Sequence, residues 1–446
     1  MHSSANSHSR NLQSRSLLSA VAGILLTTGF TYFWILPLIR PRGDFLWGHY
    51  RLKDIYLGIP LGVATLCAMM IIAAPSRHRR ALSLRLITVT VSVLLTLAIS
   101  DIGYAFVLMD CLQPNLWLDQ ASISRRYSTS DSELGFVRKP GISWRRYVPD
   151  VNRMLDYRTD ENGFRNPPGK QRADIVFIGD SYTEAATVAE EDTFVRRVGQ
   201  FTGLSVINLG RGAYGAPQEQ IVLRRYGLAY EPRVVVWQLF EGNDLVDAEV
   251  FSKWKQSPHT QTTSLKERYF HSSLLNELLV NTQLQDREGP AVTLRYPDGT
   301  TTKLKLRHRY NPDQPATRYL GMTKTIEAIE AGQQLCQSRG IQLLVIFVPT
   351  MARVMAPYIS FDRVEDQKSY LPEKLPGRTD FSSRMAGLCA RIGCTFIDTF
   401  DAFRQASANG KHDLYIPNDE HLDVAGHDVL AQVIEDWLRD KKSWYR

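Results

Sequence analysis

At 446 residues the chain is longer than a typical single domain, so two or more units are expected; it is 44% apolar and carries a formal net charge of +7. The charge is unevenly placed: the first 110 residues hold 10 Lys/Arg against 4 Asp, a net of +6, which leaves the remainder close to neutral. That remainder has no basic stripe interleaved with aromatics, which excludes nucleic acid as the expected partner.

Three apolar segments dominate the amino-terminal part. Ser16 to Ile39 and Ile55 to Pro75 contain no charged residue, and Leu86 to Met109 contains only Asp101, near its far end. Each is long enough to cross a hydrocarbon core about 30 Å thick, so 1–110 is expected to be a membrane region of three helices, 16–39, 55–75 and 86–109. The first is too long for a cleaved signal peptide and lacks a small-residue cleavage site. Asp101 is expected at the interface, because a carboxylate at mid-bilayer costs about 3 kcal/mol. Arg77, Arg79, Arg80 and Arg85 lie between the second and third segments with no acid, and Arg10 and Arg15 precede the first. Basic loops stay in the cytoplasm, so a multi-pass membrane protein with everything after Asp110 extracytoplasmic is expected.

Residues 111–172 are polar and rich in Arg, Ser and Pro, and read as a membrane-proximal linker ending in a small β-type layer. From Ala173 the pattern changes. Ile175 to Ile178 is a short buried-strand run that stops abruptly at Gly179-Asp180-Ser181. Strands are also predicted at Ser205–Leu209, Arg233–Phe240, Ile341–Pro349 and Thr395–Asp398. Helices are predicted after Pro217, at Tyr319–Arg339, at Ser382–Arg391 and at Ala425–Asp440, with Leu335, Leu343, Val345 and Phe347 in the core. The alternation argues for an α/β fold, a three-layer α/β/α sandwich on a five-stranded parallel sheet of flavodoxin-like type, spanning 173–446. Leu245 to Ala316 breaks the rhythm. It is too long for a loop and contains a hairpin signature, Val292–Tyr296, Pro-Asp-Gly, then Thr300–Arg307, so an insertion at about 245–316 is expected near the binding edge.

The chemistry-bearing residues cluster where strands end. Ser181 follows the first strand; Asn208-Leu-Gly-Arg-Gly-Ala-Tyr-Gly follows the second; Gly242-Asn243-Asp244 follows the third; and Asn418-Asp419-Glu420-His421 precedes the last helix. Carboxyl ends of parallel strands face the ligand crevice, so these segments are expected on one face. Serine becomes a nucleophile when a base takes its proton; His421 is the candidate base and Asp419 its orienting acid. Read without that context, His421 is an ordinary buried histidine, Asn243 a turn former and His427 a packing or capping residue. The cysteines Cys67, Cys111, Cys336, Cys389 and Cys394 have neither C-x-x-C nor metal-ligand spacing, so no metal is expected; Cys389 and Cys394 either pair or serve as small apolar residues. Neither a G-x-S-x-G elbow nor a phosphate loop is present.

These blocks, in this order, resemble the SGNH, or GDSL-type, hydrolase superfamily over Ala173 to about Leu438. The resemblance implies Ser181 as nucleophile, His421 as base and Asp419 as acid in the D-x-H form, with Glu420 a poor substitute. It also implies an oxyanion hole from Ser181, Ala213 and Asn243, with Gly212, Asp180 and Gly242 beside them. One position departs from the pattern: the glycine of the second block is replaced by Ala213, whose backbone N–H serves if φ is negative. No cofactor is implied. The expected function is a membrane-tethered serine esterase acting on acyl, above all acetyl, esters of extracytoplasmic glycans. The alternatives are an O-acyltransferase using the same triad, fed by an acyl-donor partner protein, and a non-catalytic polysaccharide-binding relative.

Overall fold

The structure is a computed structural model that describes residues 28, 31–35, 58, 62–65, 67, 75–103, 127–148, 151–169, 171–256, 289–307, 319–363, 366–367 and 379–440. The segments 16–39 and 55–75 therefore lie largely outside the described residues. The chain divides into two compact units, 1–113 with 262–287, and 114–261 with 288–446.

The first unit contains one long helix, α1 (Ser76–Gly103). Pro75 precedes it and no Gly or Pro interrupts it before Gly103. Ala81–Ile102, 22 residues with a mean hydropathy of 2.1, is long and apolar enough to cross a membrane. Val89, Val91, Leu95 and Ile99 on it are exposed. The helix begins ten residues before the expected Leu86 and includes Arg77 and Arg85, which had been expected in a loop. Arg, Ala and Leu are strong helix formers, and nothing between them breaks the backbone pattern.

The second unit opens with two antiparallel hairpins, β1 (Ser128–Asp131) with β2 (Gly135–Arg138), and β3 (Ser143–Val148) with β4 (Arg153–Arg158). Trp144 on β3 is stacked between Tyr127 and Tyr157, with ring centroids 4.4 and 4.1 Å away. The α/β part follows in the order β5 (Ile175–Ile178), α2 (Ser181–Glu184), α3 (Phe194–Thr202), β6 (Val206–Asn208), α4 (Ala216–Arg225), β7 (Val234–Phe240) and α5 (Asp244–Gln256). A second hairpin-bearing segment, β8 (Ala291–Arg295) and β9 (Thr301–Lys305), precedes α6 (Tyr319–Gln337), β10 (Gln342–Val348), α7 (Met351–Met355) and β11 (Ile359–Phe361). The chain closes with α8 (Asp380–Ile392), β12 (Thr395–Asp398), α9 (Phe400–Ala408) and α10 (Val424–Asp440).

Five strands form the central parallel sheet in the order β12-β10-β7-β5-β6. Numbered by appearance this is 2-1-3-4-5, the doubly wound order whose switch point lies between the first and third strands, β5 and β7. The strands are apolar on both faces because both are covered. Val176, Ile178, Val235 and Trp237 face α4, α6 and α8, while Phe177, Val236, Leu344 and Ile346 face α3 and α10. Each fully buried side chain of this kind stabilises by roughly 1.5–3 kcal/mol. The helix α5, expected within the insertion, packs against α4 and α6 and so belongs to one of the covering layers. β8 and β9 join β11 in a separate three-stranded sheet of order β11-β8-β9. Cys336 and Cys389 are buried and all three described cysteines of this unit are free thiols.

Gly332 marks the tightest helix-to-sheet contact, because a Cβ there would lie 2.3 Å from the Trp237 ring. Gly332→Ala is therefore expected to lower stability by about 1–3 kcal/mol in chemical denaturation, despite the roughly 1 kcal/mol that alanine favours in a helix interior.

Candidate active site

The turn after β5 is shaped by contacts that leave little freedom. Gly179 has φ +157°, and a Cβ on it would lie 2.4 Å from Thr183 Oγ1. Asp180 then caps α2, its carboxylate accepting the Tyr182 N–H at 2.9 Å, so that Ser181 becomes the first residue of the helix. Ser181 thus projects from the carboxyl end of β5, at the switch point of the sheet.

Ser181 Oγ lies 2.8 Å from His421 Nε2. On the other side of the ring, His421 Nδ1 is in a short hydrogen bond with Asp419 Oδ1. Asp419 is buried, and its carboxylate also accepts the His421 backbone N–H at 3.3 Å. The loop that carries this pair is tightly wound. Asn418 and Glu420 take left-handed conformations at φ +59° and +67°, and the Ile416 N–H donates to the His421 carbonyl at 2.8 Å. Tyr182 donates its hydroxyl proton to the Glu420 carbonyl at 2.7 Å, which joins the residue after the serine to the residue before the histidine. The Glu420 carboxylate accepts the Arg307 N–H at 2.5 Å and is thereby held to the hairpin. His427 lies apart from this chain. Buried against Phe194, whose N–H donates to its Nδ1 at 3.3 Å, it is pushed down to about pH 3 in pKa, first by burial and then by Arg165.

The three candidate oxyanion donors are differently situated. The backbone N–H groups of Ser181 and Ala213 find no acceptor among the described residues. Ala213 is exposed and has φ +65°. An alanine thus takes here the left-handed torsion that glycine adopts freely, a conformation that costs an L-residue about 1 kcal/mol. The condition set for Ala213, a negative φ, is not met; the neighbouring Gly212 contact and the Arg211-Tyr214 turn flank the strained residue, and its N–H enters the oxyanion hole only at that cost in strain. Asn243, after Gly242 at the end of β7, donates its side-chain N–H to Asp247 at 2.7 Å, one turn along α5, and has a weaker interaction with Asp180.

A buried ionic cluster lies behind the serine, and its members were not singled out in the sequence. Glu184, three residues after Ser181, accepts from Arg138 Nη2 at 2.6 Å, from Arg211 Nη1 at 3.2 Å, from the Gly212 N–H at 2.6 Å and from the Tyr157 hydroxyl. Burial would raise its carboxyl, but Arg138 and then Arg211 outweigh this and hold it well below the usual carboxylate range. A carboxylate so placed connects three pieces of chain: the serine turn, the turn before Ala213, and the two amino-terminal hairpins. The available signals were a charged residue within an apolar-flanked block and an arginine between two glycines, both common on surfaces as well.

A second set of carboxyls lies beneath Asn243. Burial, more than any neighbour, raises Asp180, Asp244 and Glu219. Asp247 is pushed up to about 7, first by burial and then by the charge of Asp180. Burial and mutual repulsion thus disfavour the ionised forms of this set, to which the Asn243 amide is joined through Asp247.

No family model matches the chain, and no curated protein matches it. Among solved structures, similarity is found to an acetyl xylan esterase at 16% identity, covering 59% of this chain and 98% of the other with a TM-score of 0.32. It is found also to a catalytic mutant of an acetylxylan esterase from Geobacillus stearothermophilus, at 14% identity, 58% and 91% coverage and a TM-score of 0.30. A GDSL-like lipase from Bacteroides thetaiotaomicron gives 13%, 61%, 89% and 0.28 for the same quantities.

Asp247 gives this site a pH signature. Its raised pKa favours the folded state fully below the unfolded value near 4, and this contribution is lost as pH rises through about 7. Asp247→Asn removes that loss, so the stability of the variant relative to the parent is expected to increase between pH 5 and pH 8 by roughly 2 kcal/mol. Denaturant titrations at the two pH values measure it; a difference of the opposite sign would mean that Asp247 is held as a carboxylate.

Proposed function

We propose that the protein is a membrane-tethered serine esterase of SGNH type that removes acyl groups, acetyl above all, from extracytoplasmic glycans. The observation that carries this reading is the hydrogen-bonded chain Ser181–His421–Asp419 at the carboxyl edge of the sheet. His421 Nε2 takes the Ser181 proton as Oγ attacks the ester carbonyl, and Asp419 stabilises the imidazolium. The tetrahedral oxyanion is met by the N–H groups of Ser181 and Ala213 and by the Asn243 amide. His421 then gives its proton to the departing sugar oxygen, leaving an acetyl ester on Ser181. Water, deprotonated by His421, attacks that ester and releases acetate and free serine. No cofactor enters these steps. The tether reading is supported by Ala81–Ile102 and by the uncharged segments at 16–39 and 55–75.

A fluorophosphonate probe is expected to label Ser181 in the full-length protein, and Ser181→Ala to abolish labelling and to lower ester hydrolysis at least about 10³-fold. Asn243→Ala is expected to lower turnover roughly 100- to 1,000-fold. Folded protein that neither labels nor hydrolyses would favour a polysaccharide-binding role. Product that appears only when a glycan acceptor is present would make the acyl-enzyme a transferase intermediate. For sidedness, a reporter fused after Arg446 is expected to be active outside the cytoplasm, and activity confined to the cytoplasm would overturn the three-span topology.

A further inference from the structure

The three-stranded sheet β11-β8-β9 has one buried face and one largely exposed face, on which Thr293 is covered. Val292, Leu294, Leu304 and Leu306 point inward and are 4% exposed or less. Strand alternation places Arg295, Lys303, Lys305 and Arg307 on the other side, and all four are exposed. In the register of the hairpin Arg295 stands opposite Thr301, Thr293 opposite Lys303 and Ala291 opposite Lys305, so the cations run along one face of the ribbon. None of the four is in an ion pair among the described residues. Elsewhere on this unit exposed arginines commonly meet a carboxylate, as Arg145 meets Asp156, Arg158 meets Glu190 and Arg391 meets Glu330. The Glu420 carboxylate accepts the Arg307 backbone N–H at 2.5 Å, and Asp298 lies in the hairpin turn, 3.7 Å from His412.

Edge-strand lysines ordinarily guard a sheet against pairing with another chain. That role is partly filled here by the loop that carries His421: the Lys305 backbone N–H donates to Asn418 Oδ1 at 2.9 Å, and the Arg307 backbone N–H donates to Glu420 Oε1. The edge of the ribbon that carries these cations is therefore joined to Asn418 and Glu420, on either side of Asp419. Successive outward positions on β9 lie about 7 Å apart, so Lys303, Lys305 and Arg307 span about 13 Å, a line of charge suited to an extended polyanion. The face presents no exposed large apolar side chain for entry into a bilayer and no exposed aromatic for base stacking.

We infer that this ribbon is a docking surface for an anionic, carboxylate-bearing glycan whose ester is presented to Ser181. The inference rests on the esterase reading and adds the substrate class. It is tested with full-length protein on acetylated oligogalacturonate and, as a neutral comparator, acetylated xylo-oligosaccharide. The KM for the acidic ester is expected to be at least tenfold lower, and to rise toward that of the neutral one in about 0.5 M NaCl, where the Debye length falls to about 4 Å. In K303E/K305E the ratio of kcat/KM for the acidic over the neutral ester is expected to fall at least tenfold, and in K303R/K305R to be retained. Equal KM values for the two esters in the parent, or an unchanged ratio in K303E/K305E, would overturn the inference. If neither ester is cleaved the esterase reading fails, and the ribbon is tested separately by calorimetry of unacetylated oligogalacturonate with the parent and K303E/K305E proteins; equal affinity would overturn it. Loss of binding to vesicles containing phosphatidylglycerol in K303E/K305E, with oligogalacturonate affinity unaltered, would also overturn it and assign the face to a lipid surface.

Discussion

The Glu184 carboxylate is the constraint on which the site depends. Removed from water and surrounded by Arg138, Arg211, Tyr157 and the Gly212 N–H, it binds together segments that are far apart in the chain. Arg138 comes from the amino-terminal hairpins, Arg211 from the turn after β6, and Glu184 from the helix that starts at Ser181. A buried ion pair of this sort contributes little net stability over an apolar isostere, yet breaking it leaves an uncompensated charge at a cost of about 3–5 kcal/mol. Its value is therefore positional. The serine turn and the turn bearing Ala213 cannot move independently while Glu184 holds both.

The two sides of the serine differ in electrostatic character. Behind it, Glu184 is kept ionised by two guanidinium groups, so a fixed charge is fully compensated. Beneath Asn243, four acids share a space that favours their neutral forms. The Asn243 amide is thus backed by carboxyls whose ionised forms burial disfavours. His421 stands between the two, oriented by Asp419 and by the Tyr182 contact to Glu420.

Much of the fold was legible in the sequence because buried parallel strands leave continuous apolar runs. Val234–Phe240 and Gln342–Val348 appear almost unaltered between the expected and observed bounds, as does Thr395–Asp398. Ser181 and Asn243 stood out for a related reason, since each lies where such a run stops, whereas Asp419 and His421 stood out as an acid and a histidine just before the last helix. What was not legible depended on distance in the chain. Nothing in the local pattern around Arg138 or Tyr157 says that they reach Glu184, nor does the apolar spacing of α5 distinguish a layer helix from an insertion. Asp247 was missed because an acid in the first turn of a helix is usually a dipole partner on the surface. The Arg-rich stretch before Leu86 was assigned to a loop from its charge, whereas backbone propensity carried the helix through it.

Ala213 bears on how proteins with this arrangement are recognised. Its left-handed φ of +65° is held on an alanine beside the Gly212 N–H bond to Glu184 and the turn from Arg211 to Tyr214. A signature written in amino-acid letters is a proxy for a backbone shape, and it is least faithful where the scaffold is rigid enough to absorb about 1 kcal/mol of strain. Degeneracy in such motifs is then a measure of how strongly the neighbourhood dictates the main chain.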